Sequence, residues 1–274
     1  MRRRLLIAAV FALMLSAVGC GDDSGSDAGG TFTPKQTGVL TVVTSLPAPG
    51  FWDGPDVDHL TGGFEWGIAS ELAKRFGLTA TFVDAPFEQL AAGDLGDADI
   101  ALAQISTTEK RREVMDFSSP YYPSNAGALA TKDVELKDLA AAKELQWVVE
   151  ESTTEESLLQ DVIKPDDPPL VTQTRDETLA ALANGSADAA LLDLTTALAT
   201  AHEHPELTVP AQFSTQEQLA VALPKDSDNT EAVSTAIRAL VADGTIDDLF
   251  DQYLRPVLAE DPAHVRVIVT PPED

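Results

Sequence analysis

From Gly38 onward, short β-rich runs alternate with helical patterns, and this alternation constrains the fold more than any other feature. Residues 40–44 read as the first strand. Residues 64–76 place Phe64, Ile68, Leu72 and Phe76 at helical spacing and stop at Gly77, a fitting C-cap. Strands are expected at 79–83 and 99–105, with a helix opening near Thr108. After Ala126 the alternation resumes, with strands at 147–149, 170–172 and 187–192 between helices, and a helix over 175–184 stops at Gly185. A strand at 219–223 precedes a helix over 230–242 that closes at Gly244. The expected fold class is α/β, with one lobe made of residues 38–125 and 217–255 around a continuous second lobe, 126–216. Each lobe would hold a mostly parallel sheet flanked by helices. Residues 256–274 read as a tail with no functional signal.

The first 19 residues read as an export leader. Arg2, Arg3 and Arg4 form its positive end, residues 5–15 an apolar core too short to span a bilayer, and residues 16–19 a small-residue stretch. Ala17-Val18-Gly19-Cys20 resembles a bacterial lipobox, which implies lipidation of Cys20 and a signal peptide ending at residue 19. Ala17 stands where Leu is commoner. Residues 20–37 then form a flexible tether rich in Gly, Ser and Asp. Cys20 is the only cysteine, so neither an internal disulfide nor a multi-thiolate metal site can form. The balance of 45 acidic to 18 basic residues, a formal charge of −27, argues against nucleic-acid partners and against electrostatic attachment to anionic lipid. Contact with the membrane is expected through the lipid anchor alone.

Two places concentrate chemistry. Residues 99–113 run from an apolar strand into Ser106 and Thr108, with Ser106 and Glu109 spaced as a capping box. Lys110, Arg111 and Arg112 then load the first helical turn with cations, where the helix dipole disfavours them. Either these are ordinary exposed side chains or a bound anion offsets that cost. Asp193 follows the apolar run 189–192, at the carboxyl end of a strand, where open α/β sheets bind ligands; its alternative role is the N-cap of the next helix. His202 and His204, beside Pro205, lack a placed third ligand, so no metal and no cofactor is expected.

These segments, with Asp116-Phe-Ser-Ser-Pro-Tyr-Tyr, resemble the signature of the bacterial extracellular solute-binding proteins of family 3, the polar amino-acid receptors of ABC importers. The resemblance runs from about residue 38 to 254 through Gly62-Gly-Phe-Glu-Trp-Gly-Ile-Ala-Ser-Glu-Leu-Ala, Leu182-Ala-Asn-Gly-Ser-Ala-Asp-Ala-Ala-Leu-Leu-Asp and Gly244-Thr-Ile-Asp-Asp-Leu-Phe. It implies a two-lobed periplasmic-binding-protein fold with two hinge crossovers, near 124–129 and 216–223. It also implies that Arg111 grips a ligand carboxylate, that Asp193 pairs with the α-ammonium, and that Ser106 and Gln104 add polar contacts. Phe87 matches a ring that packs on the ligand, and Phe51 or Trp52 would supply the opposite wall. Ser152 and Thr153 match a pair that reaches the carboxylate from the second lobe. Glu151 replaces a glycine usual beside that pair, Ala103 a small polar residue or glycine, and Ser45 a common Asp, which leaves the side-chain pocket unassigned.

The implied function is that of an exported, membrane-anchored receptor, a monomer that closes on an amino acid or similar small zwitterion and delivers it to permease subunits. The alternative is an enzyme on the same scaffold, similar to a cyclohexadienyl dehydratase, with Glu151 as its candidate general acid. The sequence shows no nucleophile with a paired base.

Overall fold

A computed structural model describes residues 31–270; the leader, Cys20 and the first part of the tether lie outside the described residues. The strands are β1 (Val39–Thr44), β2 (Thr79–Asp84), β3 (Ile100–Ala101), β4 (Met115–Thr131), β5 (Trp147–Glu150), β6 (Leu170–Thr172), β7 (Ala189–Asp193), β8 (Leu207–Pro224) and β9 (Val267–Val269). The helices are α1 (Phe64–Phe76), α2 (Phe87–Ala91), α3 (Glu109–Arg112), α4 (Leu139–Lys143), α5 (Thr154–Ser157), α6 (Arg175–Ala183), α7 (Leu194–Glu203), α8 (Thr230–Ala242) and α9 (Thr245–Leu249). The sheet order is β2-β1-β3-β8-β4-β7-β5-β6, with β9 beside β8. Outer pairs such as β1–β2, β1–β3, β5–β6 and β5–β7 are parallel. The central β4 and β8 run antiparallel to each other and to β7 and β3.

Local sequence explains the regular elements. α1 buries Phe64, Ile68 and Leu72 along one stripe, and Gly77 ends it in the left-handed region at φ 68°, with its N–H donating to the Ala73 and Lys74 carbonyls. α8 buries Val233, Ile237 and Leu240 in the same way. The strand expected at 99–105 is shorter than its apolar run. Ile100–Ala101 forms the regular strand; the chain then turns through Gln104 at φ 54° and meets β8 again through an isolated bridge from Ser106 to Leu219.

Two separate sets of apolar clusters make the two lobes. Leu40, Phe64, Ile68 and Val221 belong to one, and Trp147, Leu159, Leu191 and Phe213 to the other. β4 and β8 join them as 17- and 18-residue strands paired from Met115 with Pro224 to Thr131 with Leu207. Along β4, Tyr121 packs in the first lobe and Ala126 in the second; along β8, Leu219 packs in the first and Phe213 in the second. Between these points the ladder shifts register from Ser124 to Ala126, and Gln216 takes a left-handed φ of 58°. A stretch with irregular pairing and little core packing is where a two-lobed molecule can bend.

The segment read above only as a tail is part of the fold. Leu254 is buried in the first lobe, whereas Val265 and Ile268 are buried in the second, so the chain passes between lobes a third time. β9 pairs in parallel with Gln212–Ser214 of β8. Gln212 fastens this segment: its Nε2 donates to the Pro262 and Val265 carbonyls at 2.8 and 3.0 Å while its Oε1 accepts from Asn125 Nδ2 at 2.7 Å. Replacing Gln212 with alanine leaves buried partners unsatisfied and is expected to cost about 1–3 kcal/mol. Urea unfolding should show a lower midpoint with an unchanged slope.

Candidate functional site

A cleft with about 410 Å³ of empty space, open mouth included, lies between the lobes. Phe87, Ala103, Gln104 and Arg111 line it from the first lobe, and Glu150, Thr153, Thr154, Glu155, Arg175, Leu191, Leu192 and Asp193 from the second. It sits beyond the carboxyl ends of β3, β5 and β7, where the chain leaves each strand and free backbone and side-chain groups converge.

α3 is a single turn whose task is to place Arg111. Its N-cap is Thr108, whose hydroxyl accepts from the Arg111 N–H at 3.1 Å. The expected Ser106–Glu109 capping box does not form, because Ser106 lies before the cap and donates its hydroxyl to Glu217 instead. Of the three clustered cations only Arg111 is buried, at 6% exposure. Its Nη1 donates to the Ser106 carbonyl at 3.1 Å and its Nη2 to the Ser152 carbonyl of the second lobe at 3.1 Å. The guanidinium also lies 5.3 Å from the centre of the Phe87 ring. Burial draws the Arg111 pKa down, opposed by the nearby carboxylates of Glu155, Glu217 and Asp193.

Asp193 closes β7 and stands at the N-cap position of α7, yet its side chain does not cap that helix. It accepts instead from Ser124 Oγ at 2.5 Å. Burial, and then the Glu217 charge, push its pKa up to about 6, partly offset by Ser124, Arg175 and Arg111. Gln104 binds across the cleft, its Oε1 accepting from Thr196 Oγ1 of α7 at 2.7 Å. Its backbone N–H donates to Glu65 Oε1 at 2.8 Å.

The loop from β5 to α5 differs in detail from the sequence reading. The left-handed backbone falls on Ser152, φ 63°, so the glycine-like position is one residue beyond Glu151. Ser152 is exposed, and it presents its carbonyl to Arg111 while its hydroxyl has no described partner. Thr153 caps α5, accepting from the Glu156 N–H, and lines the cleft with Thr154.

Phe51 and Trp52 require correction: neither lines the cleft. Both are essentially fully buried in the first lobe, Phe51 edge-on to Phe64 and Trp52 edge-on to Phe82. A ring after β1 can turn toward either the core or the cleft, and here α1 offers the larger apolar partner. Trp52 acts beneath the cleft instead, donating from Nε1 to Glu65 Oε2 at 2.8 Å. With Tyr121 also donating to it, Glu65 is a fully buried carboxyl under the Gln104 turn. Burial lifts its pKa to about 7 against these three donors.

Several residues in or beside the cleft escaped the sequence reading. Arg175, at the start of α6, reaches over to donate to the Pro47 carbonyl at 3.0 Å and faces Glu150 at 3.9 Å. Glu217 of β8 ties the lobes together, accepting from Ser106 on one side and from Thr154 Oγ1 at 2.8 Å on the other. Glu155 had one available signal, its place beside the Ser152-Thr153 pair. His204 faces only the exposed Glu206, at 3.4 Å.

A profile of the bacterial extracellular solute-binding proteins, family 3, matches residues 40–256. The L-cystine-binding protein TcyJ of Escherichia coli (strain K12) is 30% identical over 230 residues, 80% of this chain and 84% of that protein. Among solved structures, the solute receptors for L-cysteine of Neisseria gonorrhoeae align with a TM-score of 0.74 at 27% identity, over 81% of this chain and 92% of theirs. An amino acid ABC transporter substrate-binding protein from Streptococcus pneumoniae, bound to L-arginine, aligns with a TM-score of 0.72 at 30% identity, over 80% and 95%. The profile match takes in both lobes and the long strands between them, and the chain therefore belongs to the bacterial extracellular solute-binding proteins, family 3.

Proposed function

We propose that the protein is the receptor of an amino-acid ABC importer, and that its cleft holds one α-amino acid between Arg111 and Asp193. A single observation carries this reading: a buried guanidinium from the first lobe and a half-buried carboxylate from the second line the same cavity. A zwitterion presents the two opposite charges at a fixed short spacing, so it satisfies both groups only when the lobes are together. Such a ligand binds the closed state better than the open one and shifts the population toward closure. Phe87 packs on the ligand, while Thr153, Ser106 and Gln104 add polar contacts. The lobes bend between Tyr122 and Ala126 and between Phe213 and Leu219, the intervals in which the two apolar cores part company.

The same reading covers anchoring and delivery. Cys20 carries the lipid, the residues after it tether the body outside the cytoplasm, and permease subunits receive the closed monomer. Among the described residues no helix is long and apolar enough to cross a membrane. The receptor binds without turnover, a reading supported by its family and relatives, which are solute-binding proteins.

Thermal denaturation of the leaderless protein against a panel of L-amino acids tests this directly. A ligand present at a hundred times its Kd should add about 2.7 kcal/mol of stability and raise Tm selectively. A panel in which no α-amino acid moves Tm would overturn the reading.

A further inference from the structure

The charges in the cleft do not balance once a zwitterion is placed in it, and the imbalance falls on one side chain. Arg111 and Asp193 answer the α-carboxylate and α-ammonium, and Arg175 faces Glu150 at 3.9 Å. Glu217 receives the Ser106 and Thr154 hydroxyl protons. Glu155 is left over. It is 6% exposed and lines the cavity, and among the described residues no Lys, Arg or His nitrogen comes within 4.0 Å of its carboxylate. Its one described side-chain hydrogen bond is a 3.3 Å approach by Thr154 Oγ1, whose single proton already goes to Glu217 at 2.8 Å. Its own backbone N–H is the other donor; a carboxylate offers about four acceptor sites, and leaving most of them empty in a buried position is costly. No other cation remains in the lining to fill them.

We infer that Glu155 is the receptor for a positive side chain, so that the ligand is an amino acid bearing an ammonium or guanidinium group beyond its α-centre. The inference rests on the receptor reading above and narrows its ligand class. The ligand cation supplies the donors that Glu155 lacks, while Glu217, already hydrogen-bonded from both lobes, adds negative potential nearby. Burial and the charges of Asp193 and Glu217 hold the Glu155 pKa well above the ordinary carboxylate range, and an arriving cation relieves that strain. A neutral side chain of the same shape can still donate N–H groups but brings no positive charge to answer Glu155, so its hydrogen bonds there are weaker and it binds less tightly.

Calorimetry with L-arginine, L-lysine and L-citrulline tests the inference, citrulline being the neutral near-isostere of arginine. The wild-type protein should bind at least one of the two cationic amino acids about 10- to 100-fold more tightly than citrulline, the worth of one charge-assisted hydrogen bond. Glu155→Gln, checked for folding by circular dichroism, should shrink that preference to about threefold or less. Equal binding of citrulline and the cationic pair by wild type overturns the inference while leaving the receptor reading intact, as does binding confined to neutral amino acids. Full preference retained in Glu155→Gln removes Glu155 from the role. Should no α-amino acid bind the wild type at all, the receptor reading falls and the inference with it. The wild-type comparison decides the ligand class even if the variant does not fold.

Discussion

Replacing Arg111 with alanine is expected to weaken amino-acid binding about a thousandfold and to leave the secondary structure unchanged. The guanidinium is buried and already meets two backbone carbonyls, one from each lobe, so its fork is oriented before a ligand arrives. Removing it leaves the ligand carboxylate facing Glu155, Asp193 and Glu217, the groups whose charges act on Arg111. Truncating one partner of a buried ion pair costs about 2–5 kcal/mol, because the other charge is left buried without an answer. Lysine at this position keeps the charge but cannot make two parallel bonds, so Arg111→Lys should recover only part of the loss. Calorimetric affinities measured beside far-ultraviolet circular dichroism separate lost binding from lost folding. An Arg111→Ala protein with undiminished affinity would remove this residue from the site.

The second large effect concerns acidity. The ligand-free protein is expected to become less stable as pH rises from 5 to 8, with Glu65 contributing about 3 kcal/mol to the change. In the unfolded chain this carboxyl ionises near its ordinary value of 4.5; in the fold it holds its proton up to about 7. Between those values the native state binds the extra proton, so stability falls as pH rises and the contribution is gone once pH passes the folded pKa. Asp193, raised to about 6, works in the same direction. Glu65→Gln carries no titrating proton and should flatten the slope, leaving the part due to Asp193 and the also raised Glu155. Ligand acts oppositely at Asp193, because an α-ammonium favours the carboxylate. Affinity is therefore expected to fall below pH 6, where the empty site takes a proton instead. Urea titrations at several pH values would contradict this account if wild type and Glu65→Gln showed the same slope.

What was legible in the sequence follows from how local each signal is. α1 and α8 were bounded correctly because an apolar stripe of helical period ends at a residue that cannot continue it, Gly77 in one case and the Asp243-Gly244 turn in the other. β8 was read only at 219–223, and β4 was not read as a strand. Pro120 and Pro210 interrupt the strand pattern, yet they sit where the ladder shifts register and a missing N–H is tolerated. The C-terminal strap was missed because a three-residue strand with alternating exposure carries almost no periodic signal.

The site shows the same divide. Arg111 was one of three adjacent cations, and family resemblance, more than spacing, singled it out. Asp193 was placed at the end of its strand by the apolar run before it. Phe51 and Trp52 were assigned to the wrong side because a hydrophobic residue after a strand does not say whether it faces core or cleft. Glu155 and Glu217 do not stand out in a chain of 45 acidic residues. Their meeting around Thr154 depends on tertiary contacts between residues more than sixty positions apart, which no local pattern encodes.

The most direct test of the whole account is a crystal structure with a bound amino acid, identified beforehand by thermal shift. The ligand carboxylate should lie within hydrogen-bond reach of the Arg111 fork, with its α-ammonium on Asp193 and both lobes in contact with it. Ligand density touching one lobe only, or reversed so that its carboxylate faces Asp193, would contradict it.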